Sequence, residues 1–323
     1  MSRTQTAQLM DGTSLAGRMI EESAAHAADI TRRTGTSPCL ATVLVGEDPA
    51  SVTYVRMKQA RCAKAGIKSR SIGLPAETTT AELIDVLAGL SDDPEVHGIL
   101  LQHPCGPHID ERAAFEAIAP EKDVDGVTMQ SFAAMSFGLP GFMSCTPGGI
   151  MRLLEAYDVE LDGKLAVVVG RSAILGKPVG MLLLAKNATV TYCHSRTADL
   201  SSIVQEADVV VAAVGRPRLI RGEDIKPGAV VIDAGYNPGN TGDVDFDTAL
   251  TRARLITPVP GGVGPMTIAV LLAQTVEAAA NQLGIRQSRH PDQEFVDAGR
   301  AGSRRGHCPP SSVAESFTSR CVR

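Results

Sequence analysis

What most restricts the fold of this chain is a regular alternation of short apolar runs with longer segments of helical period. In the first half the apolar runs fall at residues 39–45 (CLATVLV), 69–74 and 98–102, and helical segments at 15–29, 51–65 and 80–90. The run at 39–45 ends at Gly46, as a buried strand would, and the segment at 51–65 stops at Gly66, in the position of a C-cap. In the second half the strands are clearer, at 164–169, 189–193, 209–213 and 229–233, with a shorter candidate at 255–257. Helices fit between them at 177–185, 199–206 and 222–225, and a last helix over 266–283 closes at Gly284. Uniformly apolar strands joined through helices form parallel sheets covered on both faces, because a parallel crossover needs a long connection that packs back on the sheet. The reading is α/β with two domains. The turn-rich SCTPGG at 144–149, before a helix expected from Ile150, marks the boundary.

Length agrees, since 323 residues suit about two domains. With 44% hydrophobic and 21% charged residues, the composition is that of an ordinary globular protein rather than a disordered or coiled-coil chain. The longest apolar runs, 209–214 and 181–185, fall short of the roughly 18 residues of a membrane span, so no membrane partner is expected. No apolar stretch of signal-peptide length follows Arg3, which makes the cytoplasm the expected compartment. Seven cysteines (Cys39, Cys62, Cys105, Cys145, Cys193, Cys308, Cys321) are scattered without a CxxC pair, which points to reduced, mostly buried thiols and away from structural zinc.

Charge is unevenly distributed. From Ile285 onward there are seven arginines against four acidic residues, which leaves 24 basic and 32 acidic residues in the first 284, a charge of −8. So acidic a body offers no electrostatic footprint for nucleic acid. Residues 285–323, poor in aliphatics and rich in Pro, Ser, Gly and Arg, read as a disordered tail.

After the strand at 165–169 comes GRSAILGKP and then a helix. Small residues where a strand enters a helix let the backbone approach a pyrophosphate, and the helix N-terminus offers free N–H groups. Gly170, Ser172 and Gly176 thus make a variant dinucleotide fingerprint, although a purely structural strand-to-helix turn gives the same pattern. About twenty residues on, where a site for the unphosphorylated dinucleotide has an acidic residue, the chain reads Cys193-His194-Ser195-Arg196-Thr197. Arg171 and Ser195 could bind a 2′-phosphate, which favours NADP over NAD; the bland alternative is that Arg171 and Arg196 simply face water.

Tyr54 and Lys58 are four apart and share a helix face, where a phenol can orient a lysine whose pKa burial lowers toward acid–base range. Packing of the Tyr and solvation of the Lys is the competing reading. Gln102 ends an apolar strand, and polar groups at strand C-termini of an open α/β sheet face the ligand crevice. Lys122-Asp123-Val124-Asp125-Gly126 places two carboxylates before a turn; no third ligand stands at a useful spacing, so no metal is expected. The loop PVPGGVGPMT at 258–267, dense in Gly and Pro at the start of a helix, has the character of a ligand-contacting loop.

Together the runs PEKDVDG, SCTPGG, VVVGRSAILGKPV, TVTYCHSRT and TPVPGGVGPMT closely resemble, in order and spacing, the bifunctional methylenetetrahydrofolate dehydrogenase/methenyltetrahydrofolate cyclohydrolase family, over roughly residues 9–284. The resemblance implies an N-terminal α/β catalytic domain that binds folate (1–146 with 266–284) and a Rossmann-like NADP-binding domain (147–265). It also implies NADP-linked oxidation of 5,10-methylenetetrahydrofolate, hydrolysis of the methenyl product to 10-formyltetrahydrofolate, and a homodimer. By that analogy Lys58 is the acid–base of the hydrolysis, Tyr54 positions it and stacks near the folate, Gln102 tunes Lys58, and Asp125 binds the pterin. Gly264 and Pro265 would line the folate site; Gly170, Arg171, Ser172 and Ser195 would hold NADP, with the backbone near Tyr236 beside it. The chain departs from the pattern at His103, Cys105-Gly106, Ser131, Ala133, Ser144 and Tyr236. The altered loop at 103–107 motivates a dehydrogenase-only reading, and the departures with the Arg-rich end a non-catalytic binding paralogue. Another two-domain NADP dehydrogenase would use only the nucleotide half.

Overall fold

The computed structural model describes residues 6–47 and 49–285. In chain order the elements are β1 (Gln8–Leu9), α1 (Gly12–Thr34), β2 (Cys39–Val45), α2 (Pro49–Lys64), β3 (Lys68–Leu74), α3 (Thr80–Asp92), β4 (Gly98–Gln102), α4 (Glu111–Phe115), α5 (Met129–Phe137) and α6 (Cys145–Ala156). There follow β5 (Leu165–Val169), α7 (Gly176–Ala185), β6 (Thr189–Cys193), α8 (Leu200–Gln205), β7 (Val209–Ala212), β8 (Val230–Asp233), α9 (Phe246–Ala249), β9 (Leu255–Ile256) and α10 (Val263–Gln282).

The expected alternation forms two all-parallel sheets. The smaller has the order β3-β2-β4, and the larger β1-β9-β8-β7-β5-β6. Strands β2 and β7 are buried along their whole length, as befits strands covered on both faces. Helix ends follow local chemistry. The Asp11 side chain accepts from the Ser14 N–H to start α1, Gly35 ends it at φ 76°, and Thr79 with Glu82 forms a capping box on α3. On α1 the buried residues Ala16, Met19, Ile20, Ala27 and Ile30 follow the helical period.

Several features differ from the sequence reading, which placed no helix at α4, α5 or α9. Gln8–Leu9 pairs with β9 and adds a sixth strand to the larger sheet. The helix expected from Ile150 starts at Cys145, within the SCTPGG run, as α6: Pro147 sits in its first turn, where its missing N–H is harmless. Gly149 leaves room for α10, since a Cβ there would lie 2.9 Å from that of Met266. The helix expected at 222–225 is a 3-10 turn, Gly222–Asp224. Ile285, counted with the tail, is buried and donates its N–H to the Ala280 carbonyl at 2.8 Å; the rest of that expected disordered segment, 286–323, lies outside the described residues.

Among the described residues α10 is long and apolar enough to cross a membrane, but it is mostly buried and packs against α1 and α6. Cys39, Cys62, Cys105, Cys145 and Cys193 are free and buried, as expected; Cys308 and Cys321 lie outside the described residues.

Candidate active site

Each sheet has a strand flanked on either side by later ones: β3 and β4 flank β2, while β6 and β7 flank β5. Such a reversal opens a crevice beyond the strand C-termini, because the connections on the two sides leave in opposite directions. Helix α2 follows the C-terminal end of β2 and carries Lys58; Gln102 is the last residue of β4. Across that crevice Lys58 Nζ donates to Gln102 Oε1 at 2.9 Å, while Gln102 Nε2 donates to the His103 carbonyl at 2.9 Å and so fixes the amide's orientation. Burial lowers the Lys58 pKa, and the nearby Asp125 charge works against that fall. Tyr54 stands one turn earlier on α2; its side chain lies outside the described atoms.

The two carboxylates at 123 and 125 divide their roles. Asp123 is fully buried and accepts from the backbone N–H groups of Val127 (3.0 Å) and Thr128 (2.9 Å) and from Ser131 Oγ (2.6 Å), so it is a structural brace at the start of α5. Ser131, a departure from the family pattern, is thus part of that brace. Asp125 is half-buried: burial raises its pKa, and the nearby Lys58 works against that rise. Gly126 has φ 64°, and a Cβ there would lie 2.4 Å from the Met143 carbonyl carbon, so the turn presenting Asp125 requires glycine. No group of three or more potential metal ligands occurs among the described residues.

Two residues unforeseen in the sequence hold this loop. Cys145, its thiol pushed well up by burial and hence protonated, donates through Sγ to the Val124 carbonyl at 3.2 Å, and its N–H donates to the Asp125 carbonyl at 3.2 Å. Gln274, in the middle of α10, donates to the carbonyls of Val124 (2.8 Å) and Met143 (2.9 Å) and accepts from the Met143 N–H (3.1 Å). A single glutamine inside the apolar run TIAVLLAQTVEAAA was the available signal. Gly264 and Pro265 occupy the first turn of the same helix, about 15 Å from Gln274 at 1.5 Å per residue.

In the larger sheet the crevice lies between the ends of β5 and β7. Gly170, at φ 138°, has no room for a side chain, since a Cβ would lie 2.3 Å from the Ala213 carbonyl oxygen; one on Gly176 would lie 2.5 Å from the Gly170 oxygen. Ser172 Oγ accepts from the Leu175 and Gly176 N–H groups, both at 3.2 Å, at the entry of α7. Strands β5 and β6 pair to the register Val169↔Cys193, and Gly170 N–H donates to the Cys193 carbonyl at 2.9 Å. Exposed Arg171 and exposed Ser195 each stand two residues past the paired Val169 and Cys193. Tyr236 is 58% exposed on the loop after β8, its hydroxyl donating to Asn240 Oδ1 at 3.0 Å. A strand-to-helix turn with a closely approached backbone, an exposed arginine and a hydroxyl just beyond the next strand fits a phosphorylated dinucleotide.

The tetrahydrofolate dehydrogenase/cyclohydrolase catalytic-domain model matches residues 10–125, and the NAD(P)-binding-domain model of the same family matches residues 144–283. The chain belongs to the tetrahydrofolate dehydrogenase/cyclohydrolase family. It is 87% identical over 287 residues to bifunctional protein FolD 1 of Streptomyces avermitilis, covering 89% of this chain and 100% of that protein. Among solved structures it is similar to the bifunctional FolD enzyme of Campylobacter jejuni (TM-score 0.83, 42% identity, 85% of this chain and 99% of that one). It is also similar to the Trypanosoma brucei enzyme, complexed with NADP cofactor and inhibitor (TM-score 0.82, 39% identity, 85% and 98%).

Proposed function

We propose that this protein oxidises 5,10-methylenetetrahydrofolate with NADP and hydrolyses the methenyl product to 10-formyltetrahydrofolate, with Lys58 carrying the proton of the hydrolysis. The observation that carries this reading is the 2.9 Å hydrogen bond from Lys58 Nζ to Gln102 Oε1 at the mouth of the smaller sheet. The Streptomyces relative is a bifunctional FolD protein, and the Trypanosoma enzyme was solved with NADP.

NADP, when bound, supplies the hydride acceptor. Arg171 and Ser195 would hold its 2′-phosphate, by charge and by hydrogen bond, while Gly170 and Ser172 shape the turn at its pyrophosphate and Tyr236 lies beside it. On the folate side, Asp125 would accept from the N–H donors of the pterin, Tyr54 would stack near it, and Gly264 with Pro265 would form a further wall. Loss of hydride leaves a cationic methenyl bridge. Water adds to its carbon and gives up one proton; the C–N bond then opens as the remaining hydroxyl proton passes to its nitrogen and the carbon–oxygen bond becomes the formyl carbonyl. Burial brings the Lys58 amine toward the range where it exchanges protons with that water, and Gln102 keeps it aimed. Gln102 retains both hydrogen bonds beside the altered loop at His103, which supports two activities rather than the dehydrogenase alone.

In this reading the smaller sheet, with α10, belongs to the folate lobe (1–146 with 266–284), and strands β5 to β9 of the larger sheet to the NADP lobe (147–265), with β1 of the N-terminal segment added at that sheet's edge. A homodimer in the cytoplasm completes it; the five thiols among the described residues, buried and unpaired, suit a reducing compartment. The test is a paired assay: NADP reduction on addition of methylenetetrahydrofolate, and decay of methenyltetrahydrofolate absorbance without cofactor. Both are expected. Absence of both overturns the reading, and NADP reduction alone restricts it to the dehydrogenase.

A further inference from the structure

Two fully or nearly buried carboxylates, Asp233 and Asp243, lie at the C-terminal edge of the larger sheet, outside the set of residues assigned above to either ligand. Asp243 Oδ2 accepts from the N–H groups of Val214 (2.6 Å) and Gly215 (2.9 Å), and Oδ1 from Arg216 N–H (2.8 Å) and Asn237 Nδ2 (3.0 Å). Three consecutive backbone donors thus converge on one internal carboxylate, in the manner of an anion-binding nest. Asp233 completes the arrangement: its Oδ1 accepts from Gly235 N–H (2.9 Å) and Asp243 N–H (3.0 Å), and its Oδ2 from Val244 N–H (2.9 Å). Packing is so close that a Cβ on Gly235 would lie 2.2 Å from Asp243 Cγ, and one on Gly242 would lie 1.9 Å from Asp233 Oδ2.

The segment held by Asp243 has a specific neighbour. It follows Ala213, whose carbonyl oxygen would be 2.3 Å from a Cβ on Gly170, the glycine that opens the turn after β5. Through Asn237 the same carboxylate grips the loop after β8 that bears Tyr236. Asp243 therefore ties the loops on the β7 and β8 side of the crevice to each other and sets the wall against which the Gly170 turn rests.

We propose that Asp243 is a positioning residue for the dinucleotide: without touching it, Asp243 fixes the loops after β7 and β8 so that the crevice between β5 and β7 is shaped before cofactor arrives. The proposal rests on the reading of that crevice as the NADP site. Geometry held in advance lowers what binding must spend on ordering loops, so loosening it weakens cofactor affinity more than turnover.

The test is Asp243→Asn in the full chain, a change of equal size that turns one acceptor oxygen into an NH₂ facing backbone N–H groups. The expected result is a KM for NADP raised about tenfold, the factor that accompanies loss of one charge-assisted hydrogen bond. The dehydrogenase kcat at saturating NADP, the KM for methylenetetrahydrofolate and the cofactor-free cyclohydrolase rate should stay within about twofold, since the site around Lys58 is built from other elements. Asn237→Ala, which removes one donor and leaves the carboxylate in place, provides a milder variant, with a rise of about threefold expected. An unchanged KM for NADP in both variants overturns the proposal. So does a parallel loss of both activities in the folded Asn237→Ala protein, which would mark the network as general scaffolding. Wild-type protein lacking NADP-dependent oxidation would instead defeat the reading of the crevice, a result the same experiment reports separately.

Discussion

Lys58 stands between two influences, burial that lowers its pKa and the Asp125 charge that raises it. Asp125→Asn removes the second, so the ammonium should give up its proton at lower pH, and the limb of the cyclohydrolase pH profile that reports Lys58 should move toward acid. Hydrolysis rates against pH at saturating methenyltetrahydrofolate check this; a limb that stays put or moves toward alkali contradicts it. Gln102→Leu takes away the acceptor of the Lys58 hydrogen bond. Hydrolysis should slow by about tenfold or more, the effect of a lost hydrogen bond to a charged group, while NADP affinity measured by fluorescence is unchanged. At this scale much was legible in the sequence. The four-residue spacing of Tyr54 and Lys58 and the strand-end place of Gln102 pointed to the site, but only the sheet order brings together Lys58 and Gln102, 44 positions apart.

Helices and strands carried the clearest signals where they were long and of one period. Strands β2, β5, β7 and β8 stood out as apolar runs, and α1, α3 and α10 as helical segments, the last closing at Gly284. Short elements left little trace: β1 has two residues, and its pairing partner lies at the far end of the chain. Entry into α6 was disguised because Pro147, Gly148 and Gly149 read as a turn in isolation, whereas in the fold Gly149 admits α10. Gln274 belongs to the same class of hidden device, joining α10 to a loop 150 positions away. Gln274→Leu should leave the Met143 N–H and carbonyl without their partner and destabilise the protein by about 2–4 kcal/mol. Urea denaturation reads this directly, and a loss below about 0.5 kcal/mol, the level of an ordinary surface change, would mean that the clamp contributes nothing.

The molecule as a whole should respond to pH in two separate windows. His97 is buried, its Nδ1 accepts from the Cys39 N–H at 3.2 Å, and burial lowers its pKa below the ordinary 6.5. The native state thus resists a proton that the unfolded chain accepts. Stability from this group is complete above pH 6.5 and erodes as pH falls toward the folded value, at about 1.4 kcal/mol per pH unit at most. His97→Asn, which can keep an acceptor for Cys39, should flatten the urea midpoint between pH 7 and 5; an unaltered slope would remove His97 from the account. Carboxylates held below their ordinary 3.8, such as Asp11, Asp93 and Asp208, give way only in stronger acid.

At the same scale, one chain is held to carry out two chemistries on the folate, NADP-linked oxidation and hydrolysis, with Lys58 serving the hydrolysis. The most direct test compares wild type with Lys58→Ala in the paired assays, alongside NADP binding. The variant should bind NADP as wild type does and lose methenyltetrahydrofolate hydrolysis by about a hundredfold or more, the contribution of a positioned acid–base group. Hydrolysis at the wild-type rate in a folded Lys58→Ala protein would contradict that role.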